Sequence, residues 1–148
     1  MSVYDRLKAM NISLPVVEPP VAAFVPVVRT GNLAFVSGHI AKENGKAWAG
    51  KLGENLTTEQ GKTAARGIAI ELLATLHAAL GDLNKITRIV KLLVLVNSAP
   101  ISPNSISSLT GPPNSSWRSS ARKVRSAFGV AQIPLGACVE IELVAEIA

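Results

Sequence analysis

The chain has 148 residues, 48% of them hydrophobic and 17% charged, with a formal net charge of +5. That length and apolar content suffice for one globular domain with its own core and exclude disorder of the whole. A single cysteine excludes an internal disulfide, and an aromatic content of 4% leaves few rings on which bases could stack, so the positive charge alone does not define a nucleic-acid binder.

In chain order, Met1-Ser2-Val3-Tyr4-Asp5-Arg6-Leu7-Lys8 contains no apolar leader, and no window reaches about 18 uninterrupted apolar residues, so neither secretion nor membrane insertion is indicated. A cytoplasmic protein is the expectation. Residues 3–10 suit a short helix capped by Ser2, and Pro15, Pro19 and Pro20 then impose an extended lead-in that makes residues 1–20 an N-terminal extension. Residues 24–29 and 33–40 read as a hairpin around Thr30-Gly31-Asn32, where Gly and Asn tolerate positive φ. The glycine-bearing stretch 44–53 reads as a loop. Thr57-Thr58-Glu59-Gln60 is a capping box, after which Ala65, Ile68, Leu72, Leu76 and Ala79 recur at helical spacing up to a stop at Gly81. Residues 89–96 are apolar on both faces apart from Lys91, the pattern of an interior strand.

Residues 101–124 have no helical or strand period and read as a loop or disordered insert, which is anomalous for a stretch of that length inside a compact domain. Codons for this tract can be chosen so that the neighbouring frame spells F-T-E-Q-H-L-V-T-N-G-A-S-E-L-L-M-A-E-F-F-G-E-K-G, a helix former with apolar residues three and four apart. The tract is therefore read as a frame-shifted version, through paired sequencing errors or a genuine mutation, of an ordinary second helix. Arg118, Arg122 and Lys123 supply three of the net +5, whereas the alternative frame carries four Glu and one Lys and would bring the whole chain to −1. A nucleic-acid partner argued from charge does not survive that change.

The chain ends in two further strands joined at Pro134-Leu135-Gly136. In the second, Val139, Ile141, Leu143, Ala145 and Ile147 alternate with Glu140, Glu142, Val144 and Glu146, the period of a sheet with one apolar face. Arg125 opens the first strand, and the two strands together suggest that Arg125 and Glu140 sit near one edge. An Arg fork that grips a carboxylate beside a Glu that can hold or deprotonate a water would act on a small carboxylic acid. By pattern alone Arg125 equally fits a solvated surface cation, and Glu140 one member of an exposed polar row. Cys138 lies among apolar strand residues and reads as a buried, inert thiol. His39 and His77 have no partners at ligand spacing, so no metal site is expected.

Three segments in order carry a family resemblance. Arg125-Ser126 with Val130-Ala131-Gln132-Ile133-Pro134 and Val139-Glu140-Ile141-Glu142 resembles the close of the Rid (YjgF-type) proteins, which include enamine/imine deaminases. Phe24 to Asn32 leading into Phe35-Val36-Ser37-Gly38-His39-Ile40 resembles their Ser-Gly-x-Ile element, and Gly81-Asp82-Leu83-Asn84-Lys85-Ile86 precedes a long apolar strand as theirs does. The match spans most of residues 20–148 as one domain and breaks at 101–124, where the family carries its second helix.

The resemblance implies an α+β, chorismate-mutase-like fold with one mixed sheet, two helices on one face and a homotrimer with pockets between subunits. It implies hydrolytic deamination of enamines or imines to 2-oxo acids and ammonia without a cofactor, Arg125 binding the substrate carboxylate and Glu140 positioning water. Phe24, Ser37 and Gly38 fall on substrate-binding positions. The chain departs from the family in carrying Phe24 where many deaminases have Tyr, Ala127 where several have Cys, and Lys123-Val124 where Pro-Ala usually precedes Arg-Ser. A small-carboxylate-binding trimer without turnover is the alternative; an endoribonuclease would need a histidine pair, a metal site or a basic groove that the sequence does not display.

Overall fold

The computed structural model describes residues 1–18, 23–100 and 123–148. Ser2 and Asp5 form a reciprocal capping box that starts α1 (Val3–Ala9), whose Leu7 is buried in the main core. α1 is tied down at Tyr4, whose hydroxyl accepts from the Leu83 N–H at 2.9 Å and lies 3.0 Å from His77 Nδ1.

β1 (Val27–Thr30) and β2 (Leu33–Ile40) form the expected hairpin, the first strand beginning later than its sequence suggested. Its turn needs the positive φ of +55° that Gly31 adopts. Within the stretch read as a loop, β3 (Lys42–Glu43) and β4 (Lys46–Ala47) make a second, very short hairpin through Asn44 and Gly45, both at positive φ. Two such residues between two-residue strands are a complete tight turn, a signal too short to carry strand periodicity.

α2 (Thr58–Leu80) starts at the Thr57–Gln60 capping box and stops at Gly81 in the left-handed conformation. Its Ala64, Ile68, Leu72 and Leu76 are buried against Ala34 and Val36 of β2 and the odd-numbered residues of β7 (Val139–Ile147). Each fully buried Leu or Ile contributes roughly 1.5–3 kcal/mol. α2 is long and apolar enough by length and composition to cross a membrane, and this packing of one face on the sheet accounts for that composition.

β5 (Ile86–Asn97) is an interior strand, as its two-sided apolar pattern predicts. It pairs antiparallel with β7 and parallel with β6 (Val124–Val130), in a mixed sheet of order β1-β2-β7-β5-β6. The fold is thus α+β, one five-stranded mixed sheet with two α-helices among the described residues. The second long helix, and the frame-shift reading of residues 101–124, fall outside the described residues except for Lys123 and Val124, of which Val124 opens β6. A parallel β5–β6 pair does require a long crossover between those strands.

The last two strands correct one expectation. β6 and β7 are not partners, because β5 lies between them, and the eight residues from Ala131 to Cys138 bridge its end rather than turning a hairpin. A tight hairpin needs only two to five loop residues. Val94, Val96, Ile141, Leu143 and Ala127 face α2 or its surrounding core. The opposite face presents Phe35, Phe128 and Val28, exposed by 44%, 47% and 52%, and no described residue covers them.

Candidate functional site

Glu140 and Gly38 build the site together. β2 carries a bulge, since Val36 pairs with Leu143 and His39 with Ile141, so Ser37 and Gly38 together stand opposite the single residue Glu142. Beyond it Ile40 pairs with Glu140, bringing the Glu140 side chain alongside the bulge. A Cβ on Gly38 would collide with Glu140 Oε1 and come within 3.1 Å of its Cδ. The Glu140 carboxyl therefore occupies the space that the absent side chain leaves. Gly38 is needed here for close approach, as no positive φ is involved.

Half-burial raises the pKa of Glu140 above the usual carboxylate range; the neighbouring Glu142 carboxylate adds to the shift and His39 partly offsets it. A carboxyl shifted upward in this way holds and releases a proton closer to neutral pH than a solvated one.

Ser37 does not direct its hydroxyl proton to the Glu140 side. Its Oγ donates to the Val25 carbonyl at 2.8 Å, and its backbone N–H donates to the Pro26 carbonyl at 2.9 Å. Both bonds tether the segment before β1 to the bulge, and with it Phe24, which is 54% exposed and follows no strand pairing. Phe24, Ser37, Gly38 and Glu140 are thus gathered at one end of β1, β2 and β7.

Arg125 is not gathered with them within one chain. It pairs with Leu92 while Glu140 pairs with Leu95, on opposite sides of β5. Two inter-strand spacings separate their strands by roughly 10 Å. An offset of three residues along β5 also places them on opposite faces, Arg125 on the face of Leu92 and Val94, Glu140 on that of Leu93 and Leu95. The shared edge read from the sequence is therefore corrected: it assumed that consecutive strands were neighbours.

Two features escaped the sequence reading. His39, read as isolated, lies with its Nδ1 2.8 Å from the Ser37 carbonyl and its Nε2 2.8 Å from Thr75 Oγ1 on α2. The second is an open cavity of about 700 Å³ at the ends of β5 and β6, lined in part by Lys51, Asn97 and Leu135. There the Lys51 ammonium donates to Asn97 Oδ1 and the Ala131 carbonyl, which ties the Lys51 segment to the end of β5 and to the residue after β6. Neither Glu140 nor Gly38 lines it. Among the described residues no three His, Cys, Asp or Glu side chains cluster as metal ligands.

A mixed sheet backed by one long helix defines a small α+β domain whose candidate site is the carboxyl seated over a glycine bulge. Residues 16–147 match the family model described as Endoribonuclease L-PSP. The chain is 36% identical over 147 residues to Protein TCP17 of Trypanosoma cruzi, covering 96% of this chain and 92% of that protein. It resembles the crystal structure of Atu1372 from Agrobacterium tumefaciens at 36% identity and a TM-score of 0.76, covering 97% and 91% of the two chains. A Shewanella oneidensis structure superposes with a TM-score of 0.79 at 22% identity, over 99% of this chain and all of the other, and supports the fold alone. The chain belongs to the Endoribonuclease L-PSP, or YjgF/Rid, family.

Proposed function

We propose that this protein hydrolyses reactive 2-imino acids, and the enamines that tautomerise to them, to 2-oxo acids and ammonia. The observation that carries the reading is Glu140, a half-buried carboxyl of raised pKa set in the gap over Gly38. In the protonated imine, a water oxygen bonds to the imine carbon as the C=N π pair moves to nitrogen, and Glu140 takes a proton from that water. Glu140 returns the proton to the amine nitrogen. The C–N bond then breaks as the hydroxyl becomes a carbonyl, and the hydroxyl proton leaves with ammonia as ammonium. Nothing is oxidised or reduced, and no cofactor enters.

The substrate carboxylate needs a cation, and the guanidinium suited to it is Arg125. Because Arg125 and Glu140 of one chain lie on opposite faces, the site we infer joins Glu140 of one copy to Arg125 of a neighbouring copy in a cytoplasmic homotrimer. The uncovered apolar face with Phe35 and Phe128 supports such an assembly, since a sheet covered on one side leaves the other to a partner.

The histidines favour this chemistry over RNA cleavage. His39 is engaged with Ser37 and Thr75, and His77 with Tyr4, so neither stands beside the other as an acid–base pair. The test is 2-oxo acid release from 2-imino acids generated in situ by amino-acid oxidation. The protein should accelerate release above the buffer rate, and Arg125→Ala should lose about two orders of magnitude of that acceleration. Equal rates with and without the protein, combined with ligand-induced stabilisation by a 2-oxo acid, would replace the enzyme with a binding protein.

A further inference from the structure

The Ser37–Gly38 bulge has two sides with different contents. On the open face it receives the Glu140 carboxyl, which a single added methyl at position 38 would displace. On the helix face it meets His39, paired with Ile141 and turned toward α2. The Ser37 carbonyl can only accept, so His39 Nδ1, 2.8 Å away, carries the proton. His39 Nε2 lies 2.8 Å from the Thr75 hydroxyl and shares a hydrogen bond with it, accepting from it when the ring is neutral and donating to it when the ring is charged. Thr75 is only 4% exposed and sits in the buried stretch of α2 next to Leu76. The chain Thr75–His39–Ser37 thus runs from a fixed helix to the irregular point of an otherwise regular strand.

A bulge leaves ladder groups unpaired and re-aims the side chains around it, so its geometry depends on whatever satisfies those groups. Ser37 is held on one side by its bonds to Val25 and Pro26, which belong to the segment leading into β1. On the other side its carbonyl is held by the His39 ring.

We propose that His39, anchored by Thr75, is a positioning residue for Glu140: it pins the Ser37–Gly38 bulge to α2 and thereby fixes the side-chain-free gap in which the Glu140 carboxyl lies. The inference rests on Glu140 as the water-directing group. It assigns a role to a histidine on the helix side of the bulge, and it makes a buried threonine on α2 part of the support of a site on the opposite face of the sheet. The charged and titratable groups acting on the Glu140 carboxyl are then Glu142 beside it on β7 and His39 behind the bulge.

The test compares Thr75→Val, which keeps the shape and deletes the hydroxyl, with Thr75→Ser, which keeps the hydroxyl. Two properties are read: the titration midpoint of the Glu140 carboxyl by carbon NMR, assigned with Glu140→Gln, and the steady-state kinetics of imine hydrolysis. Thr75→Val should shift the Glu140 midpoint and lower kcat roughly tenfold or more, with KM less affected. Thr75→Ser should leave both near the parent values. An unchanged Glu140 midpoint in Thr75→Val overturns the proposal, as does an equal shift in both variants, which would make packing rather than the hydrogen bond responsible. If Thr75→Val does not fold, Thr75→Ala is judged by the same titration against Thr75→Ser. A parent protein without turnover would defeat the deaminase reading, while the NMR titration would still decide whether His39 and Thr75 position Glu140.

Discussion

Gly38 and Glu140 make a single-atom prediction. Gly38→Ala has no unfavourable φ to resist it, so its effect should come from the collision with the Glu140 carboxyl. Imine hydrolysis should fall by about one to two orders of magnitude while circular dichroism stays unchanged; full activity would place the working carboxyl elsewhere. Glu140 also makes a pH prediction. Its folded-state pKa is raised, so its contribution to stability is fully present below the unfolded pKa and is lost as pH rises through the folded one. Glu140→Gln never ionises. It should therefore be no more stable than the parent below about pH 4 and more stable at about pH 8, as read by denaturant unfolding at both. A stability difference that is the same at both pH values contradicts the raised pKa. At this scale the sequence was partly legible: Ser37, Gly38 and Glu140 stood out by motif, but the close approach of Glu140 to Gly38 did not, because a bulge breaks the alternation by which strand neighbours are inferred. His39 read as isolated because its partner Thr75 lies 36 residues away on another element.

Local chemistry marked the elements more plainly than their order. α2 was readable from end to end because its start is a reciprocal capping box and its stop is a glycine at φ +75°, each marked by a short local signal. Thr57→Ala should lower unfolding free energy by about 1 kcal/mol. Leu72→Ala, which opens a cavity between α2 and the sheet, should cost about 2–5 kcal/mol. Equal effects in denaturant titrations would contradict the core role of Leu72. β5 was readable as interior because both its faces are apolar. The arrangement of β5, β6 and β7 was not, since a pairing between strands separated by a long crossover depends on contacts that no local pattern encodes. That is why the pattern alone placed Arg125 and Glu140 at one edge.

For the whole molecule, the open face of the sheet and the separation of Arg125 from Glu140 both bear on the proposed assembly. In the assembly proposed above, the uncovered face with Phe35 and Phe128 would be half of an interface, and Arg125, on the edge strand β6 and away from its own Glu140, would be half of a site. Placing a charge on that face, as in Phe35→Lys, should yield a monomer by sedimentation and abolish turnover together. A monomer that retains activity would separate the two. Residues 101–124 also belong to this scale, because all but Val124 fall between the end of β5 and the start of β6, immediately before Arg125. If sequencing errors produced that tract, the intact mass of the native protein will differ from the mass its sequence gives; an identical mass, with no helix there by NMR, removes the idea that the sequencing is at fault.

The most direct measurement is complementation between two inactive variants, Arg125→Ala and Glu140→Gln. They are mixed in equal amounts, dissociated and reassembled, and assayed on 2-imino acids. If each site joins Arg125 of one copy to Glu140 of the next, random trimers should recover about a quarter of the parent activity, since that fraction of sites receives both intact residues. Mixed trimers that form but remain as inactive as either variant alone would contradict a site shared between copies.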